Sequence, residues 1–195
     1  SSALAMRDRL AEELDLGADD IALTTRAAFA DAVLELLPPW EGTAWAMNGT
    51  TEIPNEGSIA CGYFVSTVLR DAGLQVERVT LAQQGAESII RTLSDDEDIR
   101  RYRNTPVHEV LRDHEEPGVY IVGLDWHVGI LVVAAGEPTF CHASRSQNQR
   151  VLCEPAATSR ALRSRYTVVG RLSDRVHDAW LSETLLPTEH SAARP

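Results

Sequence analysis

Residues 118–144 read GVYIVGLDWHVGILVVAAGEPTFCHAS, and their pattern decides the fold class. They contain β-branched and aromatic runs at 118–124, 126–134 and 139–144, separated by turn-forming residues, as consecutive antiparallel strands would be. RVLCE at 150–154 and YTVVGRL at 166–172 continue the series. Upstream the period changes. CGYFVSTVLRDAGL, 61–74, sets Phe64, Val65, Val68, Leu69 and Ala72 at helical spacing, with Gly73 where a left-handed cap belongs. TTRAAFADAVLELLPP, 24–39, puts Phe29, Val33, Leu36 and Leu37 on one face behind a Thr24 or Thr25 cap, and Pro38 and Pro39 stop it.

Working outward, further helices are expected over 3–16, 83–93, 106–115 and 173–186. Residues 40–60 mix Gly, Asn, Thr and Pro with two Trp and read as an ordered loop. The acidic run SDDED and the Arg-rich stretch after it read as solvated surface, and a polar tail starts at Pro187. Helices first and a strand meander second predict one α+β domain over 1–195, with the Cys61 helix packed on a C-terminal antiparallel sheet.

Composition narrows the function. The chain has 195 residues, 44% hydrophobic and 24% charged, which excludes wholly disordered and collagen-like classes. Its 18 basic residues, all Arg, face 29 acidic ones for a net charge of -11, so nucleic acid and anionic membrane are not expected partners. No apolar run approaches the ~20 residues of a membrane span. The opening SSALAMRDRL lacks an apolar signal-peptide core, so an exported protein is expected to have lost that segment already. Three Cys are too few for a disulfide scaffold, and the odd number leaves one thiol for a separate task.

Cys61 opens a helix, where unpaired N–H groups and the helix dipole favour a thiolate, so it is a candidate nucleophile; a small buried hydrophobe fits the same position. A cysteine nucleophile needs an imidazole as proton acceptor, and His127 at the head of HVGILVV is the candidate. Strand alternation places it with Gly129, Leu131 and Val133, on the face where the Cys61 helix is expected to pack. His142 in FCHAS, on the adjacent strand, is the candidate orienting group, with Asp125 in reserve. If TFCHAS and RVLCE form a hairpin centred on Gln147, Cys141 and Cys153 face each other and can form a disulfide in an oxidising compartment; two reduced core thiols fit equally. A zinc site using Cys141, His142 and Cys153 is disfavoured because neighbouring strand residues point to opposite faces. Asn48-Gly49-Thr50 is a formal glycosylation sequon and a weak match. His108, His114, His177 and His190, among charged neighbours, are expected on the solvated surface.

IACGYFVSTVLRDAGL followed by HVGILVVAAGEPTFCHAS resembles the NlpC-type cell-wall cysteine peptidases of the papain-like superfamily, over about residues 43–144. The resemblance implies a papain-like fold, with Cys61 as nucleophile, His127 as base, His142 as orienting residue and no metal or organic cofactor. The substrate it implies is a peptide or amide, such as the peptidoglycan stem peptide, met outside the cytoplasm. Trp45 stands where the family usually has a Tyr lining the site, and indole N–H is a donor as the hydroxyl is. The chain departs in reading Ala60-Cys61-Gly62-Tyr63 where typical members read Asp-Cys-Ser-Gly, so their grip on the amine end of the stem peptide is not expected. It also carries an N-terminal extension, 1–39, and an insertion over about 75–115. Two alternatives share the site: acyl transfer to an acceptor other than water, and an inactive peptide-binding module. The related lipid acyltransferases place His before Cys, the reverse of the order here.

Overall fold

Eight strands form one sheet in the computed structural model, which describes Arg9, residues 18–145 and residues 148–188. The expected meander holds for β4 (Gly118–Leu124), β5 (His127–Val133), β6 (Thr139–Ser144) and β7 (Arg150–Pro155), while β8 (Tyr166–Arg171) crosses back to pair with β4 rather than β7; all five are antiparallel to their neighbours. Three strands were not expected. β1 (Ala44–Trp45) and β2 (Ser58–Ile59) lie within the segment read as loop, pair in parallel, and join the sheet through β7. β3 (Ile99–Arg103) falls on the Arg-rich stretch read as solvated surface and pairs with β8. The full order is β2-β1-β7-β6-β5-β4-β8-β3.

The helices are α1 (Ala18–Leu36), α2 (Cys61–Asp71), α3 (Arg78–Ala82), α4 (Ala86–Leu93), α5 (Val107–Arg112) and α6 (Asp174–Leu181). α1 runs through Thr24 and Thr25, and Thr25 is buried, so neither caps it; the proline pair ends it as expected. The region expected to be one helix at 83–93 begins only at Ala86, and α6 stops at Leu181 rather than 186. The expected polar tail is anchored as far as it is described: Leu186 N–H bonds the Gln75 carbonyl and Thr188 is buried. The helix expected over 3–16 lies outside the described residues except for Arg9, which is helical.

α2 ends as its sequence requires. Gly73 has φ +102°, its N–H bonds the Arg70 carbonyl, and Leu74 N–H bonds that of Leu69, which closes the helix on a left-handed glycine. Phe64, Val65, Val68 and Leu69 are fully buried against Val128, Ile130, Val132 and Ala143 of the sheet. Each such side chain contributes roughly 1.5–3 kcal/mol relative to exposure. α1, α4 and α6 complete this layer. The other sheet face carries Leu131, Val133, Phe140 and Val169 under Val110 of α5 and Leu162.

That partition corrects one expectation. α2 packs on the Val128 face of β5, whereas Leu131 and Val133, the alternation partners of His127, belong to the opposite layer. A second correction concerns two histidines. His114 and His177 are buried, at 6% and 4% exposure, despite charged sequence neighbours; the His114 ring meets Tyr102 and Tyr120, and the His177 ring meets Phe29 edge-on. His108 is exposed as expected, and His190 lies outside the described residues.

Candidate active site

The site is built where α2 starts and β5 starts. Ala60, extended at φ -85° and ψ 159°, precedes α2 without a side-chain cap, so the first-turn N–H groups are left to other acceptors. Cys61 is half-buried there. The backbone N–H groups of Val128, Gly62 and Cys61 itself favour the thiolate form of its Sγ. Val128 is the residue next to His127, so the group that acts on the sulfur and the candidate base share the start of one strand. His127 is the first residue of β5, so the end of the sheet, rather than one of its faces, brings the pair to the same place.

The glycine after Cys61 permits this close packing. An ideal Cβ on Gly62 would lie 2.2 Å from the Ala82 carbonyl oxygen of α3. The short insertion helix therefore sits directly on the first turn of α2. Tyr63 is held in the same contact, with Gln83 donating to its hydroxyl at 3.2 Å and the Arg78 guanidinium 5.0 Å above its ring.

His127 Nε2 lies 2.7 Å from His142 Nδ1, and the two rings meet edge to face at 4.9 Å. His142 is fully buried and stacks on Phe140 at 4.8 Å, so its ring orientation is set by packing. Phe140 and His142 both point to the face opposite Cys141 and Ala143, consistent with strand alternation. On the far side of the His142 ring, Nε2 lies 3.7 Å from Glu154 Oε1 of β7. Asp125 does not reach the pair: its carboxylate accepts the Ser164 hydroxyl at 2.8 Å and the Arg165 N–H at 3.0 Å.

Burial pushes the Cys61 thiol up from its ordinary value, and the N–H groups of Val128 and Gly62 only partly oppose it. Burial, then the adjacent His142, lowers His127 to about 3. The thiolate expected from the helix terminus is therefore not the resting form at neutral pH. The resting pair is a neutral thiol beside a neutral imidazole, which is a proton acceptor.

Two clefts open on either side of this pair. One, of about 480 Å³, is lined by Cys61, His127, Gln84, Glu87 and Tyr166. The other, of about 610 Å³, is lined by Cys61, His127, Trp45, Met47, Arg145 and Arg160. Trp126, 94% exposed on the β4–β5 turn, borders both. The structure thus brings Trp45, Cys61 and His127 to one cavity wall, with His142 behind. Glu154 and Trp126 escaped the sequence reading. Trp126 stands beside His127 in the chain, which was the available signal; Glu154 carries none until β6 and β7 are paired.

Cys141 and Cys153 are opposite each other in the β6–β7 register and disulfide-bonded, with Cα atoms 4.1 Å apart. Among the described residues no group of three or more His, Cys, Asp or Glu is placed to hold a metal ion. Among them, too, no helix is long and apolar enough to cross a membrane. No protein-family model matches the chain, and no match is found among curated proteins.

Proposed function

We propose that the protein is a cysteine peptidase or amidase of the NlpC-like, papain-like type, cleaving a peptide or amide bond through Cys61, His127 and His142. The observation that carries this reading is the 2.7 Å contact between His127 Nε2 and His142 Nδ1, with Cys61 and His127 lining the same two clefts. With Nε2 tied to His142, Nδ1 of His127 is the nitrogen left for the thiol. The Cys61 proton passes to Nδ1 as Sγ bonds the substrate carbonyl carbon, and the carbonyl electron pair moves onto oxygen. The Cys61 N–H and the Trp45 indole are the candidate oxyanion donors. Collapse breaks the C–N bond, and the leaving amine takes the proton from His127. Water then adds to the thioester, giving its proton to the same nitrogen, and the thiol is released with it.

The clefts on both sides of Cys61 suit a chain that runs past the sulfur in both directions. A bacterial wall peptide outside the cytoplasm is the substrate class that the resemblance implies, and the Cys141–Cys153 disulfide supports export, since such bonds persist in oxidising compartments. Digestion of purified muropeptides, read by mass spectrometry with Cys61→Ala as control, tests the proposal. New fragments from the parent protein alone are expected. No cleavage, together with no iodoacetamide labelling of Cys61, would overturn it.

A further inference from the structure

Within that reading, on which this inference rests, one buried group has no task. Glu154 Oε1 is buried and, among the described residues, accepts no hydrogen bond. A carboxylate oxygen taken out of water without a donor is costly, so its retention calls for an explanation. Its position supplies one. Glu154 is opposite Phe140 in the β6–β7 register, so it projects to the face that holds His142, one diagonal step away. The structure records Oε1 3.7 Å from His142 Nε2.

We propose that Glu154 is a positioning residue that holds His142 in its Nε2–H tautomer. The tautomer decides whether His127 can act as a base. With the proton on Nε2, His142 Nδ1 is an acceptor, His127 donates its own Nε2–H to it, and His127 Nδ1 is free for the Cys61 proton. With the proton on Nδ1, His142 donates instead, His127 must carry its proton on Nδ1, and no basic nitrogen faces the thiol. A carboxylate beside Nε2 favours the first arrangement. It also offsets the positive charge that appears on His127 when the thiol gives up its proton. No proton needs to leave His142 in either step. At 3.7 Å the resting contact is electrostatic; a slight closure turns it into a hydrogen bond as His127 becomes charged.

His127 from β5 and Glu154 from β7 are among the groups near the His142 ring nitrogens, while Phe140 covers the ring face. The test therefore reads both histidines. Long-range ¹H–¹⁵N spectra of the native protein at pH 7 should show His142 as the Nε2–H tautomer, and the Nδ1–H form there would overturn the proposal with no variant made. In Glu154→Gln, an isostere without the charge, the two tautomers should mix. Its Cys61 alkylation by iodoacetamide at pH 7 should slow about tenfold or more, with the pH profile displaced upward. If His127→Ala slows alkylation but Glu154→Gln changes neither tautomer nor profile, Glu154 has no such role and the Cys61–His127 reading stands. If His127→Ala alkylates like the parent protein, that underlying reading fails, and the role of Glu154 with it.

Discussion

Replacing Gly62 by Ala separates two opposite expectations. Intrinsic helix preference alone favours Ala over Gly by up to about 1 kcal/mol within a helix. The packing says otherwise, because the new methyl would stand 2.2 Å from the Ala82 oxygen and 3.1 Å from its carbonyl carbon. Both belong to backbone, so no side-chain rotation relieves the contact. Reaching an ordinary 3.4 Å separation requires α2 and α3 to part by about 1.2 Å at the turn that carries Cys61. Overpacking of this kind costs roughly 1–3 kcal/mol, or about 2–12 °C in melting temperature for a chain of this size. Displacing the sulfur by about 1 Å should slow its chemistry on the order of a hundredfold. Circular dichroism melting and the rate of Cys61 alkylation read the two effects separately. A variant that melts higher than the parent and alkylates as fast would refute the argument. Ser at 62 should fail in the same way.

Other outcomes follow from the same geometry. Trp45→Phe retains the cavity wall and removes the indole donor, so turnover on any cleaved peptide should fall on the order of a hundredfold with melting little changed; equal turnover would leave Trp45 a packing residue. The Cys141–Cys153 bond closes a loop with a sequence separation of 12, so the double Ser variant should lose about 3 kcal/mol in urea unfolding; an unmoved midpoint would contradict that. Burial lowers His114 and His177 each to about 4. The unfolded chain therefore binds protons first as pH falls below about 6.5, and stability should decline between there and pH 4, by roughly 2 kcal/mol per histidine at pH 5. Identical urea midpoints at pH 7 and pH 5 would exclude this.

What the sequence disclosed depended on run length and on where polarity fell. The β4 to β8 runs are 6 or 7 residues long, with β4, β5 and β8 rich in Val or Ile and β6 and β7 bounded by turn residues, so each could be recognised from its own residues. β1 and β2 have 2 residues each, too few for alternation to register. β3, IRRYR, is an edge strand with mostly exposed arginines, and its charge hid it. Charge misled in the other direction at His177, because Asp174 and Asp178 say nothing about Phe29, which is distant in sequence and covers the ring. Cys61, His127 and His142 were legible because each sits at an element boundary or within a strand whose neighbours define it. The face of His127 was not, since α2 starts at the end of the strands, where alternation, which describes faces only, gives no guide.

Cys141 of the disulfide and His142 are adjacent residues of β6 and face opposite sides of the sheet, and this links stability to the site. Cys141 faces the α2 layer and bonds Cys153, while Phe140 and His142 face the other way, toward His127 and Glu154. A slip of β7 by one residue would turn Glu154 to the α2 face and separate the cysteines together. Conversely, the covalent bond fixes the register that sets Glu154 diagonal to His142. Reduction should therefore change more than stability. While the protein is still folded, it should loosen the β6–β7 register and broaden the His142 ring signals, with α2 and Cys61 left in place. The polar relay behind His127 is then only as well ordered as the strand pair that carries it.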